Sequence, residues 1–304
     1  MKHRLIFASL LAFCLILGQQ TAYATEGGSS YYFPGSSTTF GVAMPPEPGF
    51  MVADQLLYFN GNASKAVLHG LVHLDLKSSA VYNCVAGFYT FKEPVFGARL
   101  QIGAAIPVGT VNVNGSINTH SVSDNSNGLG DSLASAALYW KKGDVHYKLI
   151  ESVFLPTGTY TAGSTANVGR NYWAFDTSLA MTWMNKKGTE ISITPGILFN
   201  AKNNSTDYQS GNEFHVDVAV NQFLAKNFAV GLHGYYYSQV SDDNGSGAKL
   251  GGFRGRSLGF GPAILWAPKA GKGNLSVVVK LLRDVDDANR MRGTYGQFVI
   301  GYKF

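Results

Sequence analysis

From Phe214 to Asn221 the chain alternates, with Phe214, Val216, Val218 and Val220 on one face and His215, Asp217, Ala219 and Asn221 on the other. A period of two is the signature of a half-buried β-strand. In 96–106, Phe96, Ala98, Leu100, Ile102, Ala104 and Ile106 oppose Gly97, Arg99, Gln101 and Gly103. In 175–183, Phe175, Leu179, Met181 and Trp183 oppose Asp176, Ser178, Ala180 and Thr182. Twelve such segments follow one another, near 50–60, 78–91, 95–107, 129–141, 144–156, 171–184, 188–200, 212–224, 227–241, 253–267, 274–284 and 294–304. Gly, Asn, Asp, Ser and Lys clusters separate them. Segment 66–76, "AVLHGLVHLDL", reads either as a further strand or as wall folded inward. In 144–156, Glu151 interrupts one row and Lys148 the other, so the sequence leaves open which row faces outward.

Alternation alone suits a soluble β-sandwich as well as a membrane barrel. The spacing of the segments favours the barrel. Short turns, "KKGD" (141–144), "NKKG" (185–188) and "AKN" (225–227), alternate with long Gly/Ser/Asn/Asp-rich links at 108–128, 157–169, 201–211 and 242–252. Short turns at one end and long links at the other are the layout of an antiparallel transmembrane β-barrel, for which an even count of twelve is in range. A tilted strand crosses the hydrocarbon in about 9–11 residues, which the segments match. Aromatic clusters at strand ends, Tyr58-Phe59, Tyr139-Trp140, Tyr172-Trp173, Tyr235 to Tyr237 and Trp266, read as interfacial girdles. The last segment, "GTYGQFVIGYKF", ends on an aromatic side chain. A chain end is ordinarily frayed and polar; this one reads as a closing strand, with Phe304 as a signal to the barrel-assembly machinery.

The start of the chain agrees with export. "MKHRLIFASLLAFCLILG" carries Lys2, His3 and Arg4 before an apolar run, and Ala22-Tyr23-Ala24 follows as a small-x-small site. Residues 1–24 therefore read as a cleaved signal peptide. Without Lys2 and Arg4, 22 of the 24 basic residues face 19 acidic ones, a net charge of +3. No basic run accompanies that charge, which excludes nucleic acid as a partner. Cys84 is the one cysteine after the leader, so no internal disulfide is available. Charged residues are only 14% of the chain, fewer than an ordinary soluble domain carries.

Four stretches, "PPEPGFMVADQLLYFNG" (45–61), "NVGRNYWAFD" (167–176), "STDYQSGNEFHVD" (205–217) and "DDNGSGAKLGGFRGR" (242–256), carry a resemblance that runs from about Tyr32 to Phe304. Together they make the chain resemble the phenol meta-pathway degradation family of outer-membrane proteins. The resemblance implies an outer-membrane channel for passive uptake of small hydrophobic or aromatic compounds, without a cofactor. The alternative from another class is a structural or adhesive surface protein acting through the long Ser/Asn-rich links.

Segment 25–48 is too rich in Gly, Pro and Ser for a strand. It is expected either to plug the lumen, with Tyr31, Tyr32 and Phe33 touching ligand, or to form a periplasmic tail; three adjacent aromatics are unusual in water. Arg99, Asp176, Glu190, His215, Asp217, His233 and Lys280 fall on inward rows and read as structural pairs or as a substrate path. An ionised ligand would favour Arg99 or Lys280. Arg170, Arg254 and Arg256 sit at link–strand junctions, where they would lock links through Asp207, Asp242 and Asp243 or bind lipopolysaccharide phosphates. Phosphate-loop, nucleophile-elbow and His-Glu-x-x-His motifs are absent from the sequence. Outer-membrane lipid and small hydrophobic solutes are the expected partners, and the chain is expected to be a monomer.

Overall fold

The computed structural model describes residues 30–304, except 69–70, 118–119, 249–253 and 272, and the side chains of 64–74 and 117–120 are likewise outside it. The expected leader lies outside the described residues. Each segment read from the sequence becomes a strand: β1 (Gly49–Leu68), β2 (Leu71–Thr90), β3 (Arg99–Ile117), β4 (His120–Leu129), β5 (Ser132–Lys142), β6 (Val145–Leu155) and β7 (Ala174–Met184). The rest are β8 (Thr189–Asn200), β9 (Glu213–Ala225), β10 (Phe228–Gln239), β11 (Arg256–Trp266), the two-residue β12 (Lys269–Ala270), β13 (Gly273–Ala288) and β14 (Arg292–Lys303).

Successive barrel strands pair antiparallel, with β3 on β5 and β11 on β13, and β14 returns to β1 from Met51↔Lys303 to Asn62↔Arg292. Twelve strands thus close a barrel; β4 and β12 are additional. Closure leaves none of the twelve barrel strands with a free edge, which is why β-structure can stand in lipid. The side-chain distribution is inverted relative to a soluble protein. Leu56, Val85, Ile106, Phe175, Ile197, Val220, Phe260, Leu281 and Phe298 are exposed on outward rows, while Glu190, Glu213, His215, Asp217, His233 and Lys280 are buried on inward ones. An apolar outer belt and a polar lumen are what a transmembrane barrel requires. Two-residue turns such as Gly143-Asp144 join strands at the short end, where Gly143 adopts φ 61°, a conformation hairpin turns favour.

Several expectations need correction. Residues 108–128 are not a link: β3 continues to Ile117 and β4 returns along it from Ile117↔His120 to Val108↔Leu129. Residues 66–76 add no barrel strand but belong to the tip of a β1–β2 hairpin that runs past the end of the β1–β14 ladder. β1 to β4 therefore project beyond the barrel as a flap. Phe96, at φ 51° and 90% exposed, sits in the turn that Val95 and Ala98 close, not on a strand face. The aromatic pairs divide between faces: Tyr58, Trp173 and Trp266 are exposed, whereas Tyr139, Tyr172, Tyr235 and Tyr237 are buried inside. Adjacent strand residues point oppositely, so only one of each pair joins a girdle. In β6 the row left open resolves, with Lys148 5.4 Å from the inward Tyr139 ring and Glu151 exposed, accepting a 2.5 Å bond from Thr177.

Candidate functional site

Residues 30–43 lie inside the barrel, bonded along their length to inward side chains. At the end with the long links, the Ser30 hydroxyl donates to Glu213, and Arg170 Nη2 donates to the Ser30 carbonyl at 2.7 Å. The single Tyr31 hydroxyl proton is shared between Asp131 Oδ2 (2.7 Å) and the Tyr172 carbonyl (2.8 Å), and the Tyr31 ring stacks on Phe154 at 4.5 Å. The Tyr32 hydroxyl donates to Asp217, whose other oxygen accepts from the Ser37 and Thr38 amides at 2.7 and 3.1 Å. The Tyr32 ring stacks on His215 (4.3 Å) and Tyr237 (5.9 Å). Lys280 Nζ donates to the Gly35 and Thr38 carbonyls at 2.9 and 2.5 Å. Lower down, Phe40 lies 5.3 Å from His233, and the Ala43 amide donates to Thr182 Oγ1 at 3.1 Å. Backbone groups of an irregular segment need partners wherever water is excluded, and inward polar side chains of β7, β9, β13 and β14 supply them, Gln297 Nε2 of β14 donating to the Pro34 carbonyl at 3.1 Å.

The segment does not fill the lumen evenly. Inward rows of β8 and β9, such as Glu190 to Asn200 and Glu213 to Asn221, are buried. Inward residues opposite them, Ala53, Gln55, Ala86, Ala105 and Ile150, remain half-exposed. Above that half, at the end with the long links, lies a cavity of about 170 Å³. Its walls come from Phe59 of β1, Leu76, Ala80 and Tyr82 of β2, Val111 and Val113 of β3, Tyr160, Arg170 and Tyr172 of the 156–173 link, Tyr32 and Phe33 of the inner segment, and Arg290, Met291 and Tyr295. Apolar walls with a few polar groups are the usual composition of a small-molecule site.

The 156–173 link forms one side of this cavity and is pinned at two carboxylates. Asp131 accepts from the Gly158 amide (2.8 Å) and the Arg170 amide (2.5 Å), besides Tyr31. Asp124, on the projecting β4, accepts from Ser164 Oγ (2.6 Å) and the Ala166 amide (2.9 Å). The Ser164 bond first, then the Ala166 amide, holds the Asp124 carboxyl below the usual carboxylate range. A lowered folded value means that docking at Asp124 is complete above about pH 4 and weakens as pH falls through the lowered value. Proteolysis within 156–173 is accordingly expected to quicken in acid, and to be faster in Asp124→Ala than in wild type at neutral pH. A link equally resistant in all three conditions would show that Asp124 does not hold it.

Of the residues singled out in the sequence, Tyr32, Phe33 and Arg170 line the cavity. Tyr31 braces the inner segment instead. His215 pairs with Asp176 at 3.1 Å, His233 bonds Asn221 Oδ1 at 3.0 Å, and Asp217 and Lys280 hold backbone. Arg99 is on the inward row of β3 near the short-turn end, remote from the cavity-lining residues. Arg254 pairs with Asp242 (2.8 Å) and Arg256 with Asp286 (3.2 Å). Asp207 pairs with Lys202 rather than with an arginine, and that bond, followed by those from Ser246, lowers its carboxyl. Asp243 accepts from Tyr208 and from the Gly211 amide. Sequence reasoning missed Asp131, Arg290, Phe59 and Tyr295. "GLGDS" before β5 and the basic turn "NRMRG" were the available signals.

A closed transmembrane β-barrel with an occupied lumen and an apolar cavity at its long-link end is the class that fold and site define. The chain belongs to the family described as "Putative MetA-pathway of phenol degradation", which it matches over residues 59–299. Among solved structures, the COG4313 outer membrane channel from Pseudomonas putida F1 is similar, with a TM-score of 0.68 at 14% identity over 86% of this chain and 97% of that one. A Pseudomonas aeruginosa FadL homologue (TM-score 0.43, 9% identity, 93% and 98% covered) and the CymD monoaromatic hydrocarbon channel (0.40, 7%, 84% and 88%) are more distant. No curated protein matches the sequence.

Proposed function

We propose that this protein is a bacterial outer-membrane channel for passive uptake of small hydrophobic or aromatic compounds. The observation that carries the proposal is the unequal filling of the lumen. Residues 30–48 act as a plug fastened to the β7–β10 and β13 side, and the half-exposed small residues of β1 to β6 form a passage beside it. The aromatic cavity stands over that passage and takes solute from outside. An apolar molecule leaves water for the cavity at about 25 cal/mol per Å² of apolar area buried, then moves along the passage. No cofactor or energy source enters this scheme. Phe304, whose amide donates to the Phe50 carbonyl at 3.1 Å, presents its exposed ring for recognition during assembly. Arg254 and Arg256, paired with Asp242 and Asp286, stay exposed at the outer end beside lipopolysaccharide. The barrel acts as a monomer.

Uptake of radiolabelled toluene into cells at low concentration tests this function. Expression should speed it, and Ala105→Trp, which places a bulky ring in the passage, should return it to the rate of cells lacking the protein. Loss of surface attachment on deletion, with uptake unchanged, would favour an adhesive role instead.

A further inference from the structure

The cavity is not lined as a pure hydrocarbon site would be. Two of its lining residues are arginines, Arg170 and Arg290, and among the described lining residues there is no carboxylate. The acids nearby spend their oxygens elsewhere: Asp131 on Gly158, Arg170 and Tyr31, Glu213 on Ser30 and Asn200, and Asp284 on Tyr235 and the Gly293 amide. Arg290 is 7% exposed. Its Nη2 reaches the Tyr32 carbonyl at 3.4 Å, its guanidinium lies 3.8 Å from the centre of the Tyr237 ring, and its Nη1 has no acceptor among the described residues. Glu213 and Asp284 act on its charge from nearby, but a buried guanidinium with an unused donor is still costly, and an apolar occupant supplies no acceptor for it.

We propose that the preferred ligand of this cavity is a small aromatic acid, one ring bearing one carboxylate, with the carboxylate on Arg290 and the ring among Phe59, Tyr82 and Tyr295. The inference rests on the channel function above and narrows its substrate class. A guanidinium supplies two parallel donors to a carboxylate, a stronger and more directional match than neutral hydrogen bonds give. A site built to bond a polar group rejects the analogue that lacks it more strongly than a greasy pocket rejects an extra methylene. The aromatic walls retain the ring by stacking or edge contact.

Equilibrium binding of benzoate and of its methyl ester to the purified full chain tests the inference, since the ester keeps the ring and loses the charge. Benzoate is expected to bind about tenfold tighter or more, and Arg290→Met to bring the ratio to about one while Arg290→Lys retains part of it. A ratio near one in wild type, or an unchanged ratio in Arg290→Met, overturns the inference and leaves the channel function standing. Binding of neither probe overturns both. The wild-type comparison stands even where a variant does not fold, as judged by heat-modifiable mobility on gels.

Discussion

Removal of residues 30–48 is expected to leave a barrel that still assembles but whose single-channel conductance rises severalfold and whose solute selectivity falls. The expectation follows from where the segment's bonds go. Asp217, Lys280 and Glu213 each spend hydrogen bonds on it, while the barrel itself is held by the ladders that run from strand to strand and close at β1–β14. Without the segment, water enters and hydrates those side chains, so the wall does not depend on the plug. Keeping the segment and removing one fastening is worse for the protein. Lys280→Met leaves the Gly35 and Thr38 carbonyls without a donor and removes one of the cationic groups acting on the buried Asp217. Each buried carbonyl left without its donor costs about 1–3 kcal/mol. Planar-bilayer recordings of the deletion, paired with thermal unfolding of Lys280→Met, read both effects. A deletion variant with the conductance of the intact chain would mean that residues 30–48 do not restrict the pore.

The wall of this protein was legible in its sequence because lipid imposes a rule on every second residue. Phe214 to Val220 alternate in the structure as they do on paper, and the twelve barrel strands fall where the periodicity put them. The flap was not legible for a related reason. Beyond the membrane both faces of a strand can be polar, so "VNVNGSINTHSVSDNSN" (111–127) reads as a link although its backbone pairs along most of its length. Val111 and Val113, which turn inward to the cavity, keep a trace of the period. The site was harder still. Tyr31 meets Asp131 across 100 residues, and Arg290 meets Tyr32 across 258; such contacts follow from barrel closure and from the path of the inner segment, neither of which leaves a local pattern. Tyr32, Phe33 and Arg170 are legible because three adjacent aromatics, and an arginine at a link–strand junction, are conspicuous alone.

Asp131→Ala is the point substitution expected to loosen the cavity most. Asp131 stands at the break between β4 and β5, the two strands that run on along β3, and gathers donors from the 156–173 link and the inner segment. The Tyr31 hydroxyl retains the Tyr172 carbonyl at 2.8 Å after the change, so the loss falls on the Gly158 and Arg170 amides. Each orphaned buried donor costs about 1–3 kcal/mol. The link has no easy way to repack, because Gly158 meets Gly169 and Gly130 so closely that a Cβ on Gly158 would lie 2.8 Å from backbone atoms of both. Hydrogen exchange at the Gly158 and Arg170 amides should therefore speed up by about one to two orders of magnitude, with the ladder amides of β5 and β6 unchanged. Tyr160, Arg170 and Tyr172 leave the cavity wall when the link lifts, so ligand affinity falls in the same variant. Asp131→Asn, which keeps one acceptor oxygen, falls between. Exchange at the two amides as slow as in wild type would show that the link is held by its packing alone.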